Sequence, residues 1–127
     1  MTNGQKGYLS MTQITIQVPF ELAERLQPMS LWLPTIIELG LIGFKTLATQ
    51  TASEVIEFLS QNPSPQEVFN YHVSDERQER LRRLLALNKE GILSEIEQLE
   101  LDELEKIEHV MIMLKARIAI QNFRGSS

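Results

Sequence analysis

Thr12-Gln-Ile-Thr-Ile-Gln-Val18 runs straight into Pro19-Phe-Glu-Leu-Ala-Glu-Arg-Leu26, and the reading of this junction decides the fold. Ile14, Ile16 and Val18 alternate with Gln13, Thr15 and Gln17, the period-2 pattern of a strand with one apolar and one polar face. Pro19 suits the first turn of a helix, where its missing N–H costs nothing. No other stretch alternates convincingly, and a lone strand leaves a row of backbone donors and acceptors bare. The pattern therefore predicts that strand 12–18 pairs with its own copy across a homodimer.

Outward from that junction the chain is punctuated as helices. A first helix carries Leu22, Ala23 and Leu26 and stops near Pro28. A second, from Leu33 or Pro34, has an apolar stripe of Leu33, Ile36, Ile37, Gly40, Leu41, Phe44 and Leu47 at three-or-four spacing. Thr51-Ala-Ser-Glu54, Ser64-Pro-Gln-Glu67 and Ser94-Glu-Ile-Glu97 each have the spacing of a capping box. Asn62-Pro63 closes the helix that the first of these opens. Ser74 caps a longer helix that Gly91 ends. In the last helix, about 95 to 121, Leu104, Ile107, Met111, Leu114 and Ile118 form a coiled-coil-like seam. With Leu81, Leu84, Leu85 and Leu87 on the preceding helix, this predicts an antiparallel hairpin over 75–121. The expected layout is a disordered leader (1–11), a strand–helix–helix part (12–47), a short-helix connector (48–74), the hairpin and a disordered tail (122–127). The fold class is mainly α with one strand paired across a dimer.

Composition narrows the function. The chain has 127 residues, a formal net charge of −5 and no cysteine, which excludes disulfides, thiolate metal sites and thiol catalysis. The acidic balance argues against a general nucleic-acid coat. The most apolar run, 31–44, is too short to span a bilayer and holds Pro34 and Glu38, so a cytoplasmic protein without membrane contact is expected.

Enzymatic chemistry finds little footing. His72 and His109 are the only histidines, neither in a metal-ligand spacing, and no phosphate loop or nucleophile elbow is present. No catalytic residue, metal or cofactor is expected. Arg77, Arg80, Arg82 and Arg83 form one basic cluster; Glu76–Arg80 and Glu79–Arg83 pairs explain it as a solvated face, a phosphate contact being the alternative. The acids crowding 95–108 suit the start of a helix dipole, or a docking surface for a basic partner. Gln13, Thr15 and Gln17 share a direction. On a two-stranded ribbon they would fit the major groove, glutamine on adenine and the threonine methyl on thymine; an ordinary solvated face is the alternative.

At Ile-Thr-Ile-Gln-Val-Pro-Phe-Glu-Leu-Ala-Glu-Arg-Leu (14–26) the sequence resembles the opening of ribbon-helix-helix antitoxins and repressors. The likeness covers at best 12–47, and Pro28-Met-Ser-Leu-Trp-Leu-Pro34 departs from the family's turn between its helices. Leu84-Leu-Ala-Leu-Asn-Lys-Glu-Gly-Ile-Leu-Ser-Glu95 through Glu108-His-Val-Met-Ile-Met-Leu-Lys-Ala-Arg117 looks like a helical module of small uncharacterised bacterial proteins, some encoded beside toxin-like or nuclease genes. Together the resemblances imply a non-enzymatic, antitoxin-like regulator. The dimeric ribbon would touch operator DNA through Gln13, Thr15 and Gln17. The arm would hold a toxin or nuclease through Leu104, Ile107, Met111, Leu114 and Ile118. The alternative is a protein-interaction adaptor, or complex subunit, without DNA binding.

Overall fold

The computed structural model describes residues 11–125. Its elements are α1 (Phe20–Leu26), a 3-10 turn (Gln27–Met29), α2 (Leu33–Gly40), α3 (Ala48–Ser60), α4 (Pro65–Phe69), α5 (Asp75–Lys89) and α6 (Glu95–Gly125).

Among the described residues there is no strand, which corrects the expected ribbon across a dimer. Residues 11–19 are irregular, and Ile14 and Ile16 stand 84% and 68% exposed. A strand exists only through a ladder to a neighbour, and the folded chain offers none. Alternation supplied a face that suits a sheet but nothing to pair with. Residues 1–10, most of the expected leader, lie outside the described residues, and so do 126 and 127 of the expected tail. The rest of that tail is helix as far as Gly125.

α6 is the spine. Leu101, Leu104, Ile107, Val110, Leu114 and Ile118 are buried along it at three- and four-residue steps, each contributing about 1.5–3 kcal/mol by leaving water. α2, α3, α4 and α5 all pack against this one helix. α5 and α6 run antiparallel: Arg80 reaches Glu100 in two parallel hydrogen bonds of 2.9 and 2.7 Å, and Leu84 is fully buried. Arg80 therefore serves the hairpin interface, where an exposed pair with Glu76 was expected.

α5 ends in a Schellman motif. Gly91, at φ 73°, donates to the Asn88 carbonyl at 3.0 Å, and Ile92 to the Leu87 carbonyl at 3.1 Å. A Cβ on Gly91 would meet nothing within 4 Å, so Gly91→Ala carries backbone strain alone. That costs about 1 kcal/mol, and a thermal melt should read it as a loss of about 3–6 °C.

Two of the three expected capping boxes close as written. Ser64 and Glu67 exchange bonds of 2.8 and 3.2 Å; Ser94 and Glu97 do so at 3.0 and 3.2 Å. The bonds from the Ser94 N–H and hydroxyl hold the Glu97 carboxyl below its ordinary range. The third box does not form. α3 begins at Ala48, so Thr51 sits buried a turn inside it. Glu54 instead accepts the Ser74 N–H at 3.1 Å and hydroxyl at 2.9 Å, capping α5 from another helix.

What starts α3 early is Glu103 of α6. Its buried carboxylate takes the N–H groups of Lys45 and Thr46 at 2.9 and 3.2 Å, and the Thr46 hydroxyl. The Thr46 oxygen in turn accepts from Ala48 N–H at 3.1 Å. Both N–H groups belong to the turn before α3, so Glu103 acts on the helix through Thr46, whose hydroxyl it holds beside the first helical N–H.

The second helix is shorter than its stripe suggested. α2 ends at Gly40, and the chain turns through Gly43 at φ 74°. Ile37, Leu41 and Leu47 are exposed, while Thr35 and Leu39 are buried in their place. Trp32, just before α2, is buried and its indole N–H donates to the Pro63 carbonyl at 2.7 Å. This bond ties α2 to the turn after α3.

Candidate partner-binding groove

The antiparallel pairing of α5 and α6 leaves a furrow on one side, closed at its back by α3 and at one end by residues 71–73. It encloses about 330 Å³. Its floor is apolar: Leu81 and Leu85 from α5, Leu104, Ile107 and Met111 from α6, and Val55 from α3. Helical spacing sets both rows, since residues three or four apart share a face. From Leu104 to Lys115 the α6 wall runs about 16 Å at 1.5 Å per residue.

The rim is polar, and its two arginines are paired with carboxylates. Lys115, Arg77, Arg82 and His72 border it with one carboxylate, Glu108. Arg77 is engaged: Nη1 donates to Gln50 Oε1 at 2.6 Å, and Glu54 and Glu76 lie at 3.7 and 3.3 Å. Arg82 pairs with Glu79 at 2.9 Å, both side chains largely in water. Such a pair contributes little and exchanges readily. Lys115 donates to the Tyr71 carbonyl at 2.7 Å and has no carboxylate within 4 Å among the described residues. Burial pushes its ammonium pKa down. Tyr71 is held in place by stacking on Phe58, ring centres 4.1 Å apart; burial, helped by Glu54 and Glu57, raises its phenol pKa.

The structure divides the expected site residues. Leu104, Ile107 and Met111 of the seam form the groove floor, with Leu104 and Ile107 buried beneath it and Met111 half-buried. Leu114 and Ile118 are enclosed by the chain's own core. A partner therefore reaches the seam through this groove or not at all. Gln13, Thr15 and Gln17 are all exposed on the irregular segment. Their operator contact was tied to a paired ribbon entering the major groove, and that geometry is absent from the described residues. Of the acids crowding α6, Glu100 and Glu103 are buried and already partnered by Arg80 and the start of α3, which leaves them out of any docking surface.

Lys115 and Tyr71 went unremarked as site residues in the sequence. Leu81 and Leu85 were readable as an apolar pair flanking Leu84, and Leu85 is 44% exposed, the one sign that this stripe is wider than α6 covers. His109 lies elsewhere, in an open depression with Glu38, Asp102, Glu105 and Lys106. No three His, Asp or Glu side chains among the described residues come together as a metal-holding group. No described helix is long and apolar enough to cross a membrane.

No family model matches this chain, no curated protein is similar to it, and no solved structure shares its fold closely enough to match.

Proposed function

We propose that this is a cytoplasmic, non-enzymatic adaptor that holds a protein partner in the groove between α5 and α6. The observation that carries the reading is the groove itself: an apolar floor of six side chains, open along one side and bordered by charge. Val55, Leu104 and Ile107 are already buried, so Leu81, Leu85 and Met111 carry the surface that a partner would cover, and covering it favours association by releasing water. Four other helices pack against α6, so its wall of the groove is already set by the chain's own core and less ordering opposes binding. The absence of cysteine suits a reducing compartment.

A photoreactive phenylalanine analogue at Leu85, on the groove lip, tests this in cells of the native host. The control position is Ile112, exposed on α6 and not among the groove's lining residues. The expected result is a discrete crosslinked protein from position 85 and none from 112, with the purified partner then rebinding the wild-type chain. Equal crosslinking from both positions, or none from 85, would overturn the reading.

A further inference from the structure

We infer that Lys115 is a covalent capture site for small apolar aldehydes, its Nζ forming an imine with a carbonyl whose hydrocarbon part lies in the groove. Lys115 lines the furrow where it meets residues 71–73. It is half-buried, whereas Lys45, Lys89 and Lys106 are exposed. The charged and titratable groups around it are Glu108 from α6, Arg77 and Arg82 from α5, His72 from the α4–α5 connection, and Glu54 and Glu57 of α3, which act on Tyr71. Both arginines are held by carboxylates, yet none lies within 4 Å of Lys115 among the described residues. Its hydrogen bond goes instead to a neutral acceptor, the Tyr71 carbonyl at 2.7 Å. An amine keeps N–H donors after giving up a proton, so this bond survives in the neutral form and leaves the lone pair free. A carboxylate there would have favoured the ammonium. Burial works in the same direction: it pushes the pKa down, so more of the side chain is neutral at a given pH. Stacking on Phe58 fixes Tyr71, and with it the place of the amine. A lysine desolvated beside apolar surface is an activated nucleophile.

The groove sets the class of carbonyl. Its volume of about 330 Å³ falls at the small end of the range for ligand pockets, roughly 300–1,000 Å³. Met111 lies one turn before Lys115 on the same face of α6, and with Leu81 and Leu85 it makes up the part of the floor that is still open. A short hydrocarbon chain reaching back from the amine covers these three side chains and releases their water. Imine formation also asks little of the site. The lone pair forms a C–N bond to the carbonyl carbon, the C=O electron pair moves to oxygen, and the two amine protons leave with that oxygen as water. Amine and aldehyde become imine and water, with no leaving group to activate and no oxidant or reductant. The capture needs no protein partner and stands apart from the adaptor reading.

The test treats the purified full chain with limiting hexanal and cyanoborohydride, which reduces each imine to a stable secondary amine. Peptide mass spectrometry then counts the label at every lysine. At pH 7 Lys115 should carry at least about fivefold more label than Lys45, Lys89 or Lys106, the advantage of an activated amine over a solvated one. That preference should narrow as the pH is raised toward about 10.4, where solvated lysines lose their protons. Glyceraldehyde, a polar aldehyde with no hydrocarbon chain to bury, should show a smaller preference. Leu85→Asn, at the exposed lip of the groove, should lower hexanal labelling of Lys115 about threefold and leave glyceraldehyde labelling unchanged. Lys115→Arg should remove this label alone, and thermal melts confirm that both variants are folded. Lys115 labelled no faster than the exposed lysines, a preference that widens with pH, an equal preference with glyceraldehyde, or hexanal labelling untouched by Leu85→Asn overturns the inference.

Discussion

Glu103→Ala should lower the stability of the protein by about 3 kcal/mol. Glu103 is only 3% exposed, and its carboxylate is the acceptor for two backbone N–H groups and a hydroxyl in the turn just before α3. Alanine leaves those donors facing a small void that offers them no acceptor. Part of the deficit recovers if water enters beside Lys45, which is exposed. Glu103→Gln keeps one acceptor oxygen but turns an amide N–H₂ toward other donors, so about 2 kcal/mol should still be lost. Because Glu103 holds the turn that leads into α3, the loss should come with reduced helicity in its first turn, residues 48–50. Urea unfolding followed by circular dichroism measures the first effect, and amide hydrogen exchange at Thr46 and Ala48 the second. A change below about 0.5 kcal/mol, the range of an ordinary surface substitution, would show that α3 is capped some other way.

Trp32→Ala should have a larger effect, about 4 kcal/mol, in the range for emptying an aromatic site in a core. The ring is 4% exposed, and its removal also strips the buried Pro63 carbonyl of the indole donor. Trp32→Phe keeps most of the apolar contact and forfeits only the hydrogen bond, so about 1–2 kcal/mol is expected. Trp32 is the single tryptophan of the chain. Its fluorescence therefore reports the α2 anchor in the wild type, and circular dichroism must follow the alanine variant. Should Trp32→Phe prove as costly as Trp32→Ala, the hydrogen bond and not the packing would hold this corner.

Both residues were silent in the sequence, for different reasons. Glu103 read as one acid among seven near the start of a helix, well explained by the macrodipole. Its actual partner lies 57 and 58 residues away. Trp32 sat between Pro28 and Pro34 in a stretch without period, and nothing local says that its indole meets Pro63. Thr51-Ala-Ser-Glu54 misled in the opposite direction. Its spacing fits a capping box, but a box forms only where the backbone leaves donors orphaned, and Glu103 had moved that point upstream to residues 45–48.

The groove was half legible. Leu104, Ile107 and Met111 were picked out by their spacing as part of one apolar seam, and they lie along the furrow. Spacing alone said nothing of Leu114 and Ile118, which share the seam and are covered. Periodicity gives the angle of a side chain around its helix; it does not say how much of that face a neighbour occupies. The polar rim is assembled from α5, α6 and the α4–α5 connection, so no single stretch displays it.

By itself the sequence determined the helical elements whose signals are local. Ser64 with Glu67, Ser74, Ser94 with Glu97 and Gly91 mark ends that form where they were read, because each bond spans only a few residues. It also determined the antiparallel pairing of α5 and α6, since a five-residue connection allows little else. Tertiary structure alone decided the rest. Whether 12–18 is a strand depends on a partner for its backbone; where α3 begins depends on an anion from α6; and which apolar residues remain open to a partner depends on how far α5 and α3 cover the spine. Each of these is a contact between distant parts of the chain, and residue order encodes such contacts only through the packing it finally reaches.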